Sequence, residues 1–216
     1  MFSLLSPSAD PVTRILCLGA HCDDIEIGCG GTVLKLLEAK SRLHVDWVVF
    51  SSDEEREREA RAGADAFLGS ADSSIRIETF RQRFFPYVAA EVKDFFDELG
   101  ASSRPDVVFT HFGDDRHQDH SLLSELAYNT FRDQLILEYE IPKWDGDLGR
   151  PSVYVQLEPE HVERKVESIW TAFESQRDKH WFSKETFLAI MRLRGIECKA
   201  PSGYAEAFYC RKLVLL

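Results

Sequence analysis

The chain has 216 residues, 44% of them apolar and 29% charged, with a formal net charge of −11. That length suits one domain with a sizeable hydrophobic core and is short for two. So acidic a balance argues against a nucleic-acid partner or an anionic membrane surface, because both need a basic face. Small neutral substrates, or anions held in a locally basic pocket, stay open.

The opening "MFSLLSPSADPVTR" lacks a basic start, and Pro7, Asp10 and Pro11 interrupt its apolar run, so it does not read as a secretory signal. No later window approaches the roughly 18 apolar residues of a spanning helix. Cys17, Cys22, Cys29, Cys198 and Cys210 form an odd set without a C-x-x-C pair, which reads as reduced thiols in a cytoplasmic protein.

Strand and helix signals then alternate. "RILCLG" (14–19), "LHVDWVVF" (43–50) and "DVVFTH" (106–111) are short, rich in β-branched and aromatic residues, and fit buried parallel strands. "TVLKLLEAK" (32–40), the acidic and basic run at 54–69, "YVAAEVKDFFDEL" (87–99) and "SLLSELAYNTF" (121–131) have helical spacing. In the second helix Ala60, Ala64, Phe67 and Leu68 make the apolar stripe, and Gly69 is placed to cap it. Beyond residue 133, strands are predicted at 134–142 and 152–158 around a loop rich in Gly, Pro and Asp, "KWDGDLGRP". Helices follow at 159–175 and 183–195, and a closing strand at 206–216. The alternation predicts one Rossmann-like α/β domain over residues 1–216, with a mostly parallel sheet and helices on both faces.

Two polar segments sit where such a sheet binds ligands, at the carboxyl ends of strands. "HCDD" follows the first strand, and "HFGDDRHQDH" (111–120), with three histidines and three aspartates, closes another. Two such loops at one sheet edge can converge, and mixed imidazole and carboxylate donors suit zinc, with iron, cobalt or manganese as substitutes. Simpler roles exist for single residues: Asp119 as a helix N-cap, His111 and His117 as ordinary histidines. A dinucleotide-binding oxidoreductase is a further alternative, with Asp53 where a ribose-binding acid would lie. Its G-x-G-x-x-G pattern fails, since Gly28 and Gly30 are followed by Val33 where the third glycine belongs. Gly28, Gly30 and Gly31 are expected instead to let the loop turn back and start its helix.

"AHCDDIEIGCGGT" (20–32) resembles the A-H-P-D-D signature of the LmbE/PIG-L zinc-dependent N-deacetylases, and "HQDH" (117–120) resembles their H-x-D-H motif. Softer matches at 56–69, "EYEIPKW", "ESQ" and "YAEAF" extend the resemblance over nearly the whole chain. It implies a Zn2+-dependent hydrolase that removes the acetyl group from an N-acetylhexosamine-containing sugar, glycoconjugate or glycoside. His21, Asp24 and His120 match the metal ligands, Asp23 the general base, His117 the oxyanion-stabilising histidine and Asp119 the carboxylate that orients it. Such an imidazolium would set the basic limb of a bell-shaped pH profile. A relative that binds carbohydrate without catalysis is the alternative, and a homo-oligomer is open. Arg56 and Trp144 are candidate substrate residues: one for an anionic substituent, as are Arg81 and Arg83, the other to stack on a pyranose. Cys22 stands where the family has proline, and its thiol is expected to turn into the core.

Overall fold

A computed structural model describes residues 12–40 and 42–213, so the N-terminal reading at 1–11 and the last three residues of the closing strand lie outside the described residues. Central strands β1 (Arg14–Gly19), β2 (His44–Val49) and β4 (Val107–His111) are buried on both faces. Their alternation shows which way each side chain points. Ile15, Cys17, Val45, Trp47, Val107 and Phe109 enter one apolar cluster, while Leu16, Leu18, Val48 and Val108 enter the other. Burying each such side chain contributes about 1.5–3 kcal/mol, so both faces must be roofed.

The roof is asymmetric. Helices α1 (Asp24–Ala39), α2 (Glu54–Leu68), α5 (Pro159–Ala172) and α6 (Lys184–Glu197) supply residues to the first cluster, and α3 (Ala89–Ser102) and α4 (Gln118–Thr130) to the second. The seven-stranded sheet runs β3-β2-β1-β4-β5-β7-β6, with β3 (Ser73–Ile77), β5 (Leu135–Tyr139), β6 (Val153–Gln156) and β7 (Ala205–Tyr209). Strands β1 to β5 are parallel; β7 is antiparallel to both β5 and β6. From β1 the chain winds outward to β2 and β3, then returns to lay β4 on the other side of β1. That reversal makes the β1/β4 carboxyl edge the crevice of the sheet.

Several elements depart from their sequence pattern. Helix α1 starts at Asp24, eight residues before the predicted start, and Gly28, Gly30 and Gly31 lie inside it rather than in a turn. All residues from Asp24 to Leu34 are buried, so this stretch has no polar face to mark it as a helix. The glycines allow close approach: a Cβ on Gly28 would collide with the Tyr139 ring, and one on Gly30 with Phe67. Strand β3, a short and partly exposed edge, offers only Ile75 and Ile77 as an apolar alternation, and the sequence pattern does not mark it. Helix α3 is preceded by a 3₁₀ turn at Phe85–Val88, and α4 begins three residues early, which puts Asp119 and His120 on its first turn. Gly69 does cap α2, at φ +57° with its N–H donating to Asp65.

Candidate metal centre and active site

The turn between β1 and α1 holds His21, Cys22 and Asp23; the loop between β4 and α4 runs from Phe112 to His117. Because β1 and β4 are neighbours, the two segments meet. Nδ1 of His21 lies 3.1 Å from Nε2 of His120 and 3.3 Å from Oδ2 of Asp24, and the last two atoms are 3.5 Å apart. Donors about 2.0–2.1 Å from a tetrahedral ion stand about 3.3 Å from one another, so this triangle fits a zinc-sized cation. Two overlapping triples of metal-capable groups also occur here, His21 with His117 and His120, and Asp24 with His111 and His120. His111 is the weaker donor, because its Nε2 already accepts a hydrogen bond from the Ala20 N–H at 3.0 Å.

A carboxylate stands behind each histidine of the triangle. Asp115 Oδ2 is 2.9 Å from His120 Nδ1, and Asp119 Oδ2 is 3.2 Å from His21 Nε2. Each holds the far nitrogen of its ring and leaves the near one turned to the centre. Asp115 is itself held by the Lys143 Nζ at 2.9 Å and by the His117 N–H at 2.8 Å. Asp119 accepts the backbone N–H groups of Arg83 at 2.6 Å and Phe85 at 3.1 Å, and Arg83 takes a φ of +67° there. A non-glycine residue in that region is strained, and the carboxylate contacts offset the strain.

The charges agree with a cation-seeking site. Burial opposes a proton on His21, but Asp24 and Asp119 outweigh it and lift its pKa to about 9, so the proton takes the place of a cation between two carboxylates. Burial, with His111 alongside, pushes His120 down to about 3 and leaves it a neutral donor. Burial works against the charge on Asp24, yet His120, His111 and His21 hold it well below the usual carboxylate range.

Asp23 is the N-cap of α1 but spends no side-chain bond on the cap. Its Oδ1 is 3.1 Å from Arg56 Nη2, and its buried Oδ2 has no hydrogen-bond partner among the described residues. His117 is half-buried beside the triangle, its ring 4.8 Å from that of His21 and 4.5 Å from that of His120. It caps α4, and its Nδ1 accepts the Asp119 N–H at 3.3 Å.

Three expected roles need correction. Asp119 does not hydrogen-bond the His117 ring through its carboxylate, which is turned to His21, Arg83 and Phe85. Burial and the neighbouring His21 also lower the His117 pKa, which disfavours the expected imidazolium, and the Asp119 N–H on Nδ1 leaves Nε2 to carry the ring hydrogen. The guanidinium of Arg56, expected to face an anionic substituent, is engaged with Asp23 and with Glu59 at 2.6 Å. Arg81 lies over the Phe84 ring, 3.5 Å from its centroid. Trp144 is 65% exposed on the loop after β5; its Nε1 donates to His180 Nδ1 at 2.9 Å and the two rings stack. The neighbouring Lys143 reaches Asp115, so this loop is anchored to the site. Cys22 turns its thiol to the Ser51 carbonyl at 3.2 Å, and burial pushes its pKa up. Sequence reasoning missed Asp115 and Lys143 as individuals, although both lie in stretches it singled out, the cluster at 111–120 and "EYEIPKW".

Comparison with known proteins adds an independent line. Over 180 residues the chain is 28% identical to "Uncharacterized deacetylase YaiS" of Escherichia coli (strain K12), covering 77% of this chain and 94% of that relative. Two solved structures share the fold. The conserved protein TT1542 from Thermus thermophilus matches with a TM-score of 0.74 at 22% identity, over 95% of this chain and 97% of that one. The N,N'-diacetylchitobiose deacetylase from Pyrococcus horikoshii matches with a TM-score of 0.69 at 21% identity, over 97% of this chain and 87% of that one. Residues 16–131, more than half of the chain and the whole stretch from His21 to His120, match the family PIG-L: GlcNAc-PI de-N-acetylase, and the chain belongs to that family.

Proposed function

We propose that this protein is a Zn2+-dependent hydrolase that removes the N-acetyl group from an N-acetylhexosamine-containing compound and yields acetate and a free amine. One observation carries the reading: three convergent donors lie on the same crevice as a buried carboxylate oxygen, Asp23 Oδ2, that has no hydrogen-bond partner among the described residues. Fold alone would not suffice, because one fold hosts unrelated chemistries.

His21, Asp24 and His120 would hold the ion. When bound, it would polarise the acetamide carbonyl and bring a coordinated water's pKa to about 7. Asp23, next in sequence to a ligand, takes the proton of the attacking water through Oδ2. Negative charge then grows on the former carbonyl oxygen, and the Nε2–H of His117 is the donor that meets it. The C–N bond breaks as the proton held by Asp23 passes to the amine nitrogen, which balances the reaction as water plus amide to acetic acid plus amine, the acid then releasing its proton as acetate. Trp144, exposed on an anchored rim loop, offers an aromatic face for stacking on a pyranose. The sugar substrate is also supported by the chitobiose deacetylase neighbour, though at an identity that speaks for the fold.

The test is a panel of N-acetylated amino sugars and their conjugates given to the zinc-loaded protein, with acetate and free amine both measured. Equal release of the two, abolished by chelation, is expected. A zinc-loaded protein that binds these sugars and releases nothing would instead be a carbohydrate-binding relative.

A further inference from the structure

A buried carboxylate needs a partner, and the one Asp23 has is built with care. Arg56, on the first turn of α2, puts Nη2 3.1 Å from Asp23 Oδ1. Its Nη1 donates to Glu59 Oε2 at 2.6 Å, one turn along the same helix. Glu59 is fixed in turn by the 3₁₀ turn that follows α5: Ser175 donates its N–H to Oε1 at 2.8 Å and its hydroxyl to Oε2 at 2.7 Å. Gln176 donates to the Ser175 hydroxyl at 2.8 Å and receives Lys179. Phe173 lies against the guanidinium, 5.5 Å from its carbon to the ring centroid. The Arg56 side chain is 15% exposed and that of Glu59 is 11% exposed.

We propose that Arg56, clamped by Glu59 and Ser175, is a positioning residue that holds Oδ1 of Asp23 and thereby leaves Oδ2 as the oxygen that takes the proton. The inference rests on the deacetylase reading above. A guanidinium is a planar fork, and with Nη1 held on Glu59 it sets Nη2 beside Oδ1 of Asp23, an ion pair that draws that oxygen and not Oδ2. A cation placed to bind an anionic substituent would keep a terminal nitrogen free and exposed; this one stands between two carboxylates. The "ESQ" turn, distant in sequence from Asp23, is thus tied to the base through two side chains.

The test uses zinc-loaded protein with N-acetyl-D-glucosamine and its anionic 6-phosphate as probes. Removing the cation alone would strand Glu59, so Arg56→Met is paired with Glu59→Gln, and Arg56→Lys serves as the conservative variant. The paired variant should keep one zinc per chain and a KM within about twofold, and lose about 10²-fold in kcat on both probes, the cost of a misplaced catalytic group. Arg56→Lys should recover part of that loss. In an Asp23→Asn background the same pair should cost little more, because the residues act as a unit. A rise in KM confined to the phosphate ester, with kcat intact, would make Arg56 a substrate residue and overturn the proposal; so would additive losses, or loss of zinc. Crystal structures of the zinc-loaded wild type and paired variant separate the two readings. If neither probe is turned over, the deacetylase assignment fails for these sugars, while an Asp23 carboxylate unmoved in the variant overturns the positioning role whatever the activity.

Discussion

At the scale of single residues, the site assigns different work to neighbouring carboxylates by where each points. Asp24 and Asp23 are adjacent, yet Asp24 turns Oδ2 to three histidines and Asp23 meets Arg56. His21→Ala, Asp24→Ala and His120→Ala should therefore lose zinc and activity together. Asp23→Asn should keep zinc and lose roughly 10²–10⁴-fold in turnover, the usual size of a general-base contribution. Asp119→Asn should weaken zinc binding about 10–100-fold, as loss of a partner behind a ligand does, since its carboxylate supports His21. Metal content after dialysis and competition with a chelator check all five; an Asp119→Asn protein with wild-type zinc affinity would show that Asp119 does not support His21 as a ligand. The start of α4 explains why this geometry differs from the role that the resemblance implies. His117 is the extended N-cap of α4 and meets Asp119 through the backbone N–H, while the Asp119 carboxylate leaves the first turn toward His21, Arg83 and Phe85.

At the scale of elements, the crevice depends on β1, β2 and α3 holding their places below it. Asp46 on β2 takes Arg14 of β1 through both oxygens, at 2.7 and 2.9 Å, and the hydroxyl of Ser103, the C-cap of α3, at 2.8 Å. Burial works against the Asp46 charge, but these partners outweigh it and its pKa is lowered. A carboxyl with a lowered folded pKa stabilises the fold above its unfolded value, about 3.9, and loses that contribution as pH falls through the folded one. Asp46→Asn should accordingly lower the urea midpoint at pH 7, and the gap from wild type should narrow as pH falls from about 4. A gap that stays constant down into acid would show that Asp46 acts by packing and neutral hydrogen bonds alone. The same network was hidden in the sequence, where Asp46 is one acid in an apolar run and its partners lie at positions 14 and 103.

For the whole molecule, the triangle joins two halves of the chain across the β1/β4 switch, since His21 lies in the turn before α1, Asp24 begins α1 and His120 is on the first turn of α4. A bound ion would tie both to one point, so binding should be linked to stability. At a hundredfold excess over Kd that linkage is about 2.7 kcal/mol, which for a domain of this size is roughly 5–10 °C in melting temperature. Chelation should lower the melting temperature by that order and added Zn2+ should restore it; a melting curve indifferent to both would mean that the triangle holds no ion. No helix among the described residues is long and apolar enough to cross a membrane.

The alternation of apolar strands and helices, the placing of "HCDD" and "HQDH" at strand ends, and the family resemblance were all legible in the amino-acid sequence, because each is a local pattern set by side-chain period and motif spacing. Tertiary structure alone decided three things. It made the glycine-rich run part of the buried N-terminal stretch of α1, since packing of Gly28 against Tyr139 and of Gly30 against Phe67 requires a bare backbone there. It inserted β7 between β5 and β6, an order that pairing across long separations settles. And it turned Asp119 to His21, Asp115 to His120 and Arg56 to Asp23, because which atom a charged side chain reaches depends on helices and loops that are near in space and far in sequence.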